Sequence, residues 1–405
     1  MDAIPDQTHL ALSLVHGWAD AFADAEQRLA PHFARSEARQ RALAYLQGLL
    51  GPAERKNSWQ LAESVGDPTP YGFQHLLGRA DWDADAVRDE LHAYVTDYLG
   101  DQNAIVVIDE TGFLKKGPRS AGVARQYSGT AGRIENAQIG VFLTYASRVG
   151  HTLIARELYL PKAWTDDPAR CKQAGIPATQ QFHTKPALAR QMLARLFDHK
   201  VPMQWVTGDS VYGDDGRLRG WLEARKQAYV LGVSGKTWLG IGWRHVRVKT
   251  LLAQLPDEGW MRLSAGAGAK GLREYDWLRL PIGTGLHDAG QRWLLVRRKL
   301  DAPHELTAYV VYAPREPSLE ACVQVAGTRW TVEQDFETTK GEVGLDHYEV
   351  RSWTGWYRHI TLAMWAQAIL TVIRAAAVEA ELPKKGRQQV PHLSSLATFK
   401  ARQGL

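Results

Sequence analysis

Three short runs of buried-strand type most constrain what this chain can fold into: AIVVID at 104–109, MQWVTGDS at 203–210 and AYVLGV at 228–233. Runs of this length and texture mark strands covered on both faces, which belong in the interior of an α/β sheet. The apolar part of each of the first two is followed directly by an aspartate, Asp109 after Ile108 and Asp209 after Gly208, and a glycine comes within a few residues of each. In open α/β sheets the carboxyl ends of the strands form the usual active-site edge, so two acids placed this way can converge. An aspartate there also serves as an ordinary turn or helix cap. It is the recurrence of the pattern that favours a site.

The segments between these runs support a mixed sheet. Gln138–Ser147 and His151–Leu160 alternate like a strand pair, and Lys185–His199 and Gly213–Lys226 carry helical periodicity. Strands followed by helix, strand, helix and strand describe an α/β core. Residues 1–100 read instead as a small helical domain, with segments Ala38–Leu50, Ser58–Val65, Tyr71–Gly78 and Ala84–Leu99. The turn GDPTP at 66–70 suggests a helix-turn-helix-like pair, with Thr69 as cap and Pro70 at the first helical position. On that reading Tyr71, Gln74, His75 and Arg79 face DNA; a plain helical bundle with a solvated polar face fits the same pattern.

From 236 to 317 the texture turns Trp-rich and alternating, as in LREYDWLRLPI, RWLLVRRKL and LTAYVVYA, which predicts a β-rich insertion. Helical patterns return at Ser318–Ala326, Trp330–Gly341 and about 356–380, and a basic tail closes the chain. The expected division is a helical domain at 1–100, a core at 101–235 and 318–383 split by the 236–317 insertion, and a tail at 384–405.

Composition excludes more than it selects. The apolar stretch Ile360–Ile373 is too short to cross a bilayer and reads as a core helix. The N-terminus lacks a basic segment ahead of its apolar part, so a cytoplasmic, nucleoid-associated protein without membrane contact is expected. Cys171 and Cys322 stand far apart and read as buried thiols, with no cysteine-based zinc site or disulfide framework. A net charge of +5 permits a polyanionic partner without requiring one. The Trp side chains suit core packing first and base stacking second.

The third chemical element is the helical stretch Thr328–Lys340. With Glu333 as the origin of a helical wheel, Arg329, Glu337 and Lys340 share its stripe, Asp335 points away, and Val332 and Phe336 flank the buried side. An ordinary solvated face with i,i+4 pairs would look alike. Its position after a sheet with two strand-end aspartates gives it weight. Three carboxylates without a His or Cys cluster suit hard divalent cations, Mg²⁺ or Mn²⁺. Two such ions can drive in-line phosphoryl displacement, with nearby Lys and Arg positioning phosphates.

At this point the chain resembles the DDE insertion-sequence transposases of the RNase H-like, retroviral-integrase superfamily. The likeness is strongest to the group with a Y-x2-R-x3-E-x6-K signature, in particular the seven-hundred-one insertion-sequence family. Arg329, Glu333 and Lys340 fit that signature, whereas Ala326 stands at the Tyr position. The segments IDETGFLKKG, TGDSVYG and KGEVGLDHYEVRSWTGWYRHITLAM extend the resemblance over about 70–375. It implies an RNase H-like core interrupted by a β insertion, with Asp109, Asp209 and Glu333 as catalytic acids holding two Mg²⁺. It implies DNA contacts from Arg329, Lys340, Tyr212, Lys115, Lys116 and Arg351, beside Tyr71, Gln74 and Arg79 of the helical domain. It further implies cut-and-paste transposition on double-stranded DNA, with terminal inverted repeats and target DNA as partners and a homodimer in the DNA complex. In the insertion, Trp238, Trp243 or Trp260 would accommodate a flipped base.

Other motifs are weaker. The stretch VLGVSGKT at 230–237 lacks the first P-loop glycine and a following helix, and GAGAKG at 266–271 precedes a strand, so neither reads as a nucleotide site. Tyr357-Arg358-His359 reads as the polar start of the last helix rather than a recombinase centre. A catalytically silent DNA-binding protein and a hydrolytic nuclease on the same fold remain the competing functions.

Overall fold

The computed structural model describes the backbone of residues 7–241, 244–268, 271–282 and 291–381. Among the described residues five α-helices come first: α1 (Gln7–Leu29), α2 (Ser36–Leu50), α3 (Ser58–Ser64), α4 (Tyr71–Gly78) and α5 (Ala84–Leu99). The core follows with β1 (Ile105–Leu114), β2 (Ala124–Ser128), β3 (Arg133–Ala146) and β4 (His151–Tyr159). Then come α6 (Lys162–Thr165), α7 (Pro168–Gln173), α8 (Lys185–Asp198), β5 (Trp205–Gly208), α9 (Ser210–Gly213), α10 (Gly216–Ala224) and β6 (Ala228–Val233). The insertion carries β7 (Trp238–Ile241), β8 (Arg244–Arg247), α11 (Val248–Leu252), β9 (Met261–Gly268), β10 (Gly271–Pro281), β11 (Gln291–Arg298) and β12 (Leu306–Ala313). The chain returns to the core in α12 (Leu319–Thr328), α13 (Trp330–Val343) and α14 (Trp353–Glu381).

The sheet explains why the apolar runs read as they do. β4, β3 and β1 form an antiparallel set, and β5 and β6 lie parallel to β1 and to each other. This is the RNase H-like strand order, and the fold is a mixed α/β core of that type. Val106, Val107 and Ile108 of β1 and Val230 and Leu231 of β6 are fully enclosed, as strands flanked on both sides and covered on both faces must be.

The structure corrects the sequence reading of β1. The strand does not end at Asp109. Its parallel pairing with β5 stops at Ile108 opposite Gly208, but its antiparallel pairing with β3 continues through Asp109 opposite Phe142 to Leu114 opposite Ala137. One neighbour is enough to satisfy the ladder on that side, so the strand runs on past the point where β5 stops. Asp109 therefore lies mid-strand, at the place where one partner has ended.

In the insertion, β12 pairs antiparallel with β6, and β11, β10 and β9 follow in turn, so the Trp-rich strands continue the core sheet among the described residues. Trp243 lies outside the described residues, as do parts of the 266–271 glycine loop and the basic tail.

The helical segments share a core with α14. Trp365 donates its indole N–H to the Val87 carbonyl at 2.9 Å, and the Tyr45 hydroxyl meets His359 Nδ1 at 2.8 Å. Arg358 donates to the carbonyls of Leu76, Ala80 and Trp82. Tyr357, Arg358 and His359 are thus buried, and the expected polar start of this helix is instead the junction that clamps the α4 end. This helix is long and apolar enough to span a bilayer, but 72% of its most apolar stretch is buried inside the protein, as a core helix would be. At α4 the cap position falls on Pro70, with no side-chain cap from Thr69. Phe73, Leu76 and Leu77 pack inward while Tyr71, Gln74, His75 and Arg79 are exposed. Cys322 is buried; Cys171 is only partly so, with its thiol directed at the Trp164 carbonyl.

Close backbone approach fixes α9 against β6. A Cβ on Gly213 would collide with the Gly232 carbonyl oxygen. Gly213→Ala should therefore cost about 1–3 kcal/mol of stability, as overpacking does, with urea unfolding as the measurement. A Gly213→Ala protein as stable as the parent would show that this contact is loose.

Candidate active site

Asp109 and Asp209 each stand one residue past the last paired residues of β1 and β5, Ile108 and Gly208. That register makes them neighbours across the edge where β5 gives way to α9. Asp209 is also the cap of α9, accepting from Val211 N–H at 2.9 Å, so capping and site roles coincide in one residue. The Asp109 Oδ1 accepts the Glu110 amide at 2.8 Å. Burial, and next the charge of Asp209, push the Asp109 carboxyl up to about 7, against the opposing pull of the Glu110 amide and Arg329. Burial and then Glu110 raise Asp209 as well.

The third acid arrives on α13. Arg329 sits at the break between α12 and α13 with right-handed helical backbone, serving as the end of one helix and the start of the next. From there its guanidinium lies 3.1 Å from Glu333 Oε1 and 3.6 Å from Asp109 Oδ2. Asp109, Asp209 and Glu333 come from three separate elements, and Arg329 adds positive charge among them. Glu333 is half-exposed and so is free to reorient, whereas Glu337, one turn on, faces solvent. Asp335, which the wheel turned away from Glu333, is buried, and its carboxylate receives Gln367 at 2.7 Å and His151 at 2.8 Å.

Several further residues proved to matter that sequence reasoning did not single out. Glu110, the next residue after Asp109, accepts from Lys185 Nζ at 2.6 Å and from the Tyr212 hydroxyl at 2.5 Å. It ties the first turn of α8 and the short α9 to β1. Strand alternation sends Glu110 to the opposite face from Asp109. Had β1 been read as continuing through Glu110, that alternation would have marked it.

Two expected DNA contacts are corrected. Tyr212 is fully enclosed and its hydroxyl is spent on Glu110, so it fixes α9 and does not reach a duplex. Lys340 directs its ammonium group at Thr111 Oγ1 (2.8 Å), Thr130 Oγ1 (3.0 Å) and the Gly112 carbonyl (3.3 Å). Its three N–H donors are thereby engaged in the floor of the site, and none is left over for a phosphate.

Beside this floor a groove of about 820 Å³ opens, sharing Gly112 and Thr130 with it. Its walls bring in Arg55, Lys115, Lys116, Arg119 and Arg351, against the acids Asp346 and Glu349. Lys115 is packed 3.5 Å over the Tyr348 ring, and burial pushes its ammonium down to about 8 despite Asp346 and Glu349. Lys116 and Arg351 are exposed.

Two family descriptions match the chain: DDE superfamily endonuclease over residues 28–249, and transposase DDE domain over 179–369. The first alone spans more than half of the sequence. The chain belongs to the DDE superfamily endonucleases. Membership makes it an enzyme that acts on DNA. It is also similar to the probable transposase for insertion sequence element IS701 of Microchaete diplosiphon, at 25% identity over 76% of this chain and 77% of that one. Among solved structures, the NurA nuclease of Sulfolobus solfataricus aligns over 61% of this chain and 80% of its own, at 9% identity and a TM-score of 0.26, too low to carry an argument.

This DDE endonuclease holds Glu333, not Glu337, against Arg329, which also faces Asp109. Glu333→Gln should lose on the order of a thousandfold in metal-dependent DNA nicking, as removal of a residue acting in a catalytic unit does, while Glu337→Gln stays within about threefold of the parent. The reverse order of effects in a plasmid-nicking assay would move the third acid one turn along α13.

Proposed function

We propose that the protein is a DNA transposase that cuts at the ends of a mobile element and joins them to target DNA, with Asp109, Asp209 and Glu333 as its catalytic acids. The observation that carries this reading is the register that sets Asp109 beside Asp209, with the Arg329 guanidinium reaching from Asp109 to Glu333 on α13 and a basic groove nearby. The two family matches between them span all three acids, and the similarity to a probable transposase adds to the same reading.

The donor set fits a hard divalent cation. The contributing groups are carboxylates, and a dication would favour the charged form of Asp109 that burial, and next the charge of Asp209, disfavour. Asp109, Asp209 and Glu333 would hold two Mg²⁺ or Mn²⁺ ions. Bound there, the ions would activate a water or 3′-hydroxyl and stabilise the leaving oxygen of an in-line displacement.

The chain's own residues supply the rest. Arg329 balances carboxylate charge and is placed to face a phosphate near the scissile bond. Lys340, through Thr111 and Thr130, holds β1 beside Asp109. Glu110 with Lys185 and Tyr212 holds α9, and so Asp209, against β1. The exposed Lys116 and Arg351 and the half-buried Lys115 direct charge into the groove, where a phosphate backbone would lie. Tyr71, Gln74 and Arg79 on the exposed face of α4 give the helical part its own DNA contact. Duplex DNA at inverted repeats and at the target, a homodimer in that complex, a cytoplasmic setting and the division into helical, core and insertion domains complete the reading. Trp238, exposed and stacked under Arg247, is the better placed of the described insertion tryptophans to meet a flipped base.

The decisive assay is Mg²⁺-dependent cleavage and joining of a DNA end. The wild type should cleave and join, and Asp109→Ala should do neither. Cleavage that survives the substitution removes the acid assignment, and cleavage without joining makes the protein a hydrolytic nuclease. A second outcome concerns pH. The Lys115 ammonium is charged below about pH 8 and neutral above it, so DNA affinity in titrations at constant salt should weaken between about pH 7 and about pH 9. Lys115→Arg, charged throughout, should flatten that slope. An unchanged slope would place Lys115 away from the DNA.

A further inference from the structure

Away from the carboxylate site, α5 and the end of α8 bring Asp89, His92 and His199 together. A ligating atom of each lies within 4.8 Å of the others. His92 is buried, and its Nε2 stands 3.1 Å from the Ile154 carbonyl on β4. A carbonyl only accepts, so Nε2 carries the proton and Nδ1 is left as a bare lone pair. Fixing a histidine tautomer through a backbone carbonyl is how metal-binding imidazoles are held. That lone pair faces His199 Nδ1 at 2.9 Å. Asp89 lies one turn before His92 on α5, with its Oδ2 4.0 Å from His199 Nε2 and its other oxygen held by Arg88. The nearby guanidinium groups are offset: Arg88 is paired with Asp85 and Asp89, and Arg195 with Glu157.

We propose that Asp89, His92 and His199 form a second metal site, selective for a transition-metal dication of the zinc type, which staples the helical part of the chain to the α/β core. Two imidazoles and one carboxylate suit such an ion and leave a fourth position for water on the exposed His199 side. The site differs in kind from the carboxylate centre, whose oxygen donors suit hard ions. Binding requires no net change of charge on the ligands. His92 is already the right tautomer, and burial keeps it neutral. His199 only shifts its ring proton from Nδ1 to Nε2 or turns its ring.

The test uses the full chain and Co²⁺ as a spectroscopic stand-in for zinc, in excess Mg²⁺ to fill the carboxylate centre. The wild type should give the visible absorption of a low-coordinate cobalt site, removed by adding Zn²⁺. An Asp109→Asn/Asp209→Asn double variant should keep that absorption. His199→Ala, at an exposed position that leaves the fold intact by circular dichroism, should bind Co²⁺ at least about tenfold more weakly and lose the rise in melting temperature that Zn²⁺ gives the wild type. The proposal is overturned if the wild type shows no such absorption, which would leave a plain histidine–histidine hydrogen bond. It is overturned equally if the absorption follows the catalytic acids or survives His199→Ala. None of these outcomes depends on transposition, so the metal site and the proposed function stand or fall separately.

Discussion

The burial of Asp109 next to Asp209 is the constraint around which the site is arranged. Their strands are locked in register up to Ile108 and Gly208, so the carboxylates that follow are held close whatever their charge. Burial denies them the water that would screen them, which is why the Asp109 carboxyl rises to about 7. Left alone, such an arrangement would be costly. The structure answers it with Arg329, placed at the α12–α13 break where a guanidinium reaches both Asp109 and Glu333. It answers it further with amide donors at Glu110 and Val211. A divalent cation would take up part of the same electrostatic task, which connects this geometry to the chemistry proposed for it.

Holding that edge requires support from far along the chain. β3 keeps β1 straight after β5 ends, α9 is drawn against β6 through Gly213, and Glu110 binds Lys185 and Tyr212 from two helices. α14 then joins the first helices to the core through Trp365, Arg358 and His359. The helical segments and the catalytic core therefore share buried contacts, and a change in one bears on the other.

Much of this was legible from residue patterns. The apolar runs gave β1, β5 and β6 because strands covered on both faces must be apolar throughout, and the helical wheel correctly turned Val332 and Phe336 inward. The full extent of β1 was hidden, since Asp109, Glu110 and Thr111 look like a turn until β3 is known to pair with them. Tyr212 and Lys340 were misread for a related reason. A polar side chain shows its chemistry in the sequence, but whether its donors face solvent or a buried partner depends on tertiary neighbours such as Glu110, Thr111 and Thr130. Arg358 and His359 show the same limit, as polar residues whose partners Ala80 and Tyr45 lie 278 and 314 positions away.

The central claim is that Asp109, Asp209 and Glu333 act as one cation-binding centre. Crystals soaked in Mn²⁺ and measured at the manganese absorption edge test it most directly. The account predicts anomalous density between Asp109 and Asp209, with Arg329 drawn away from Asp109 and Glu333 turned toward the ion. Manganese bound elsewhere, with Arg329 still against Asp109 and Glu333, would contradict it.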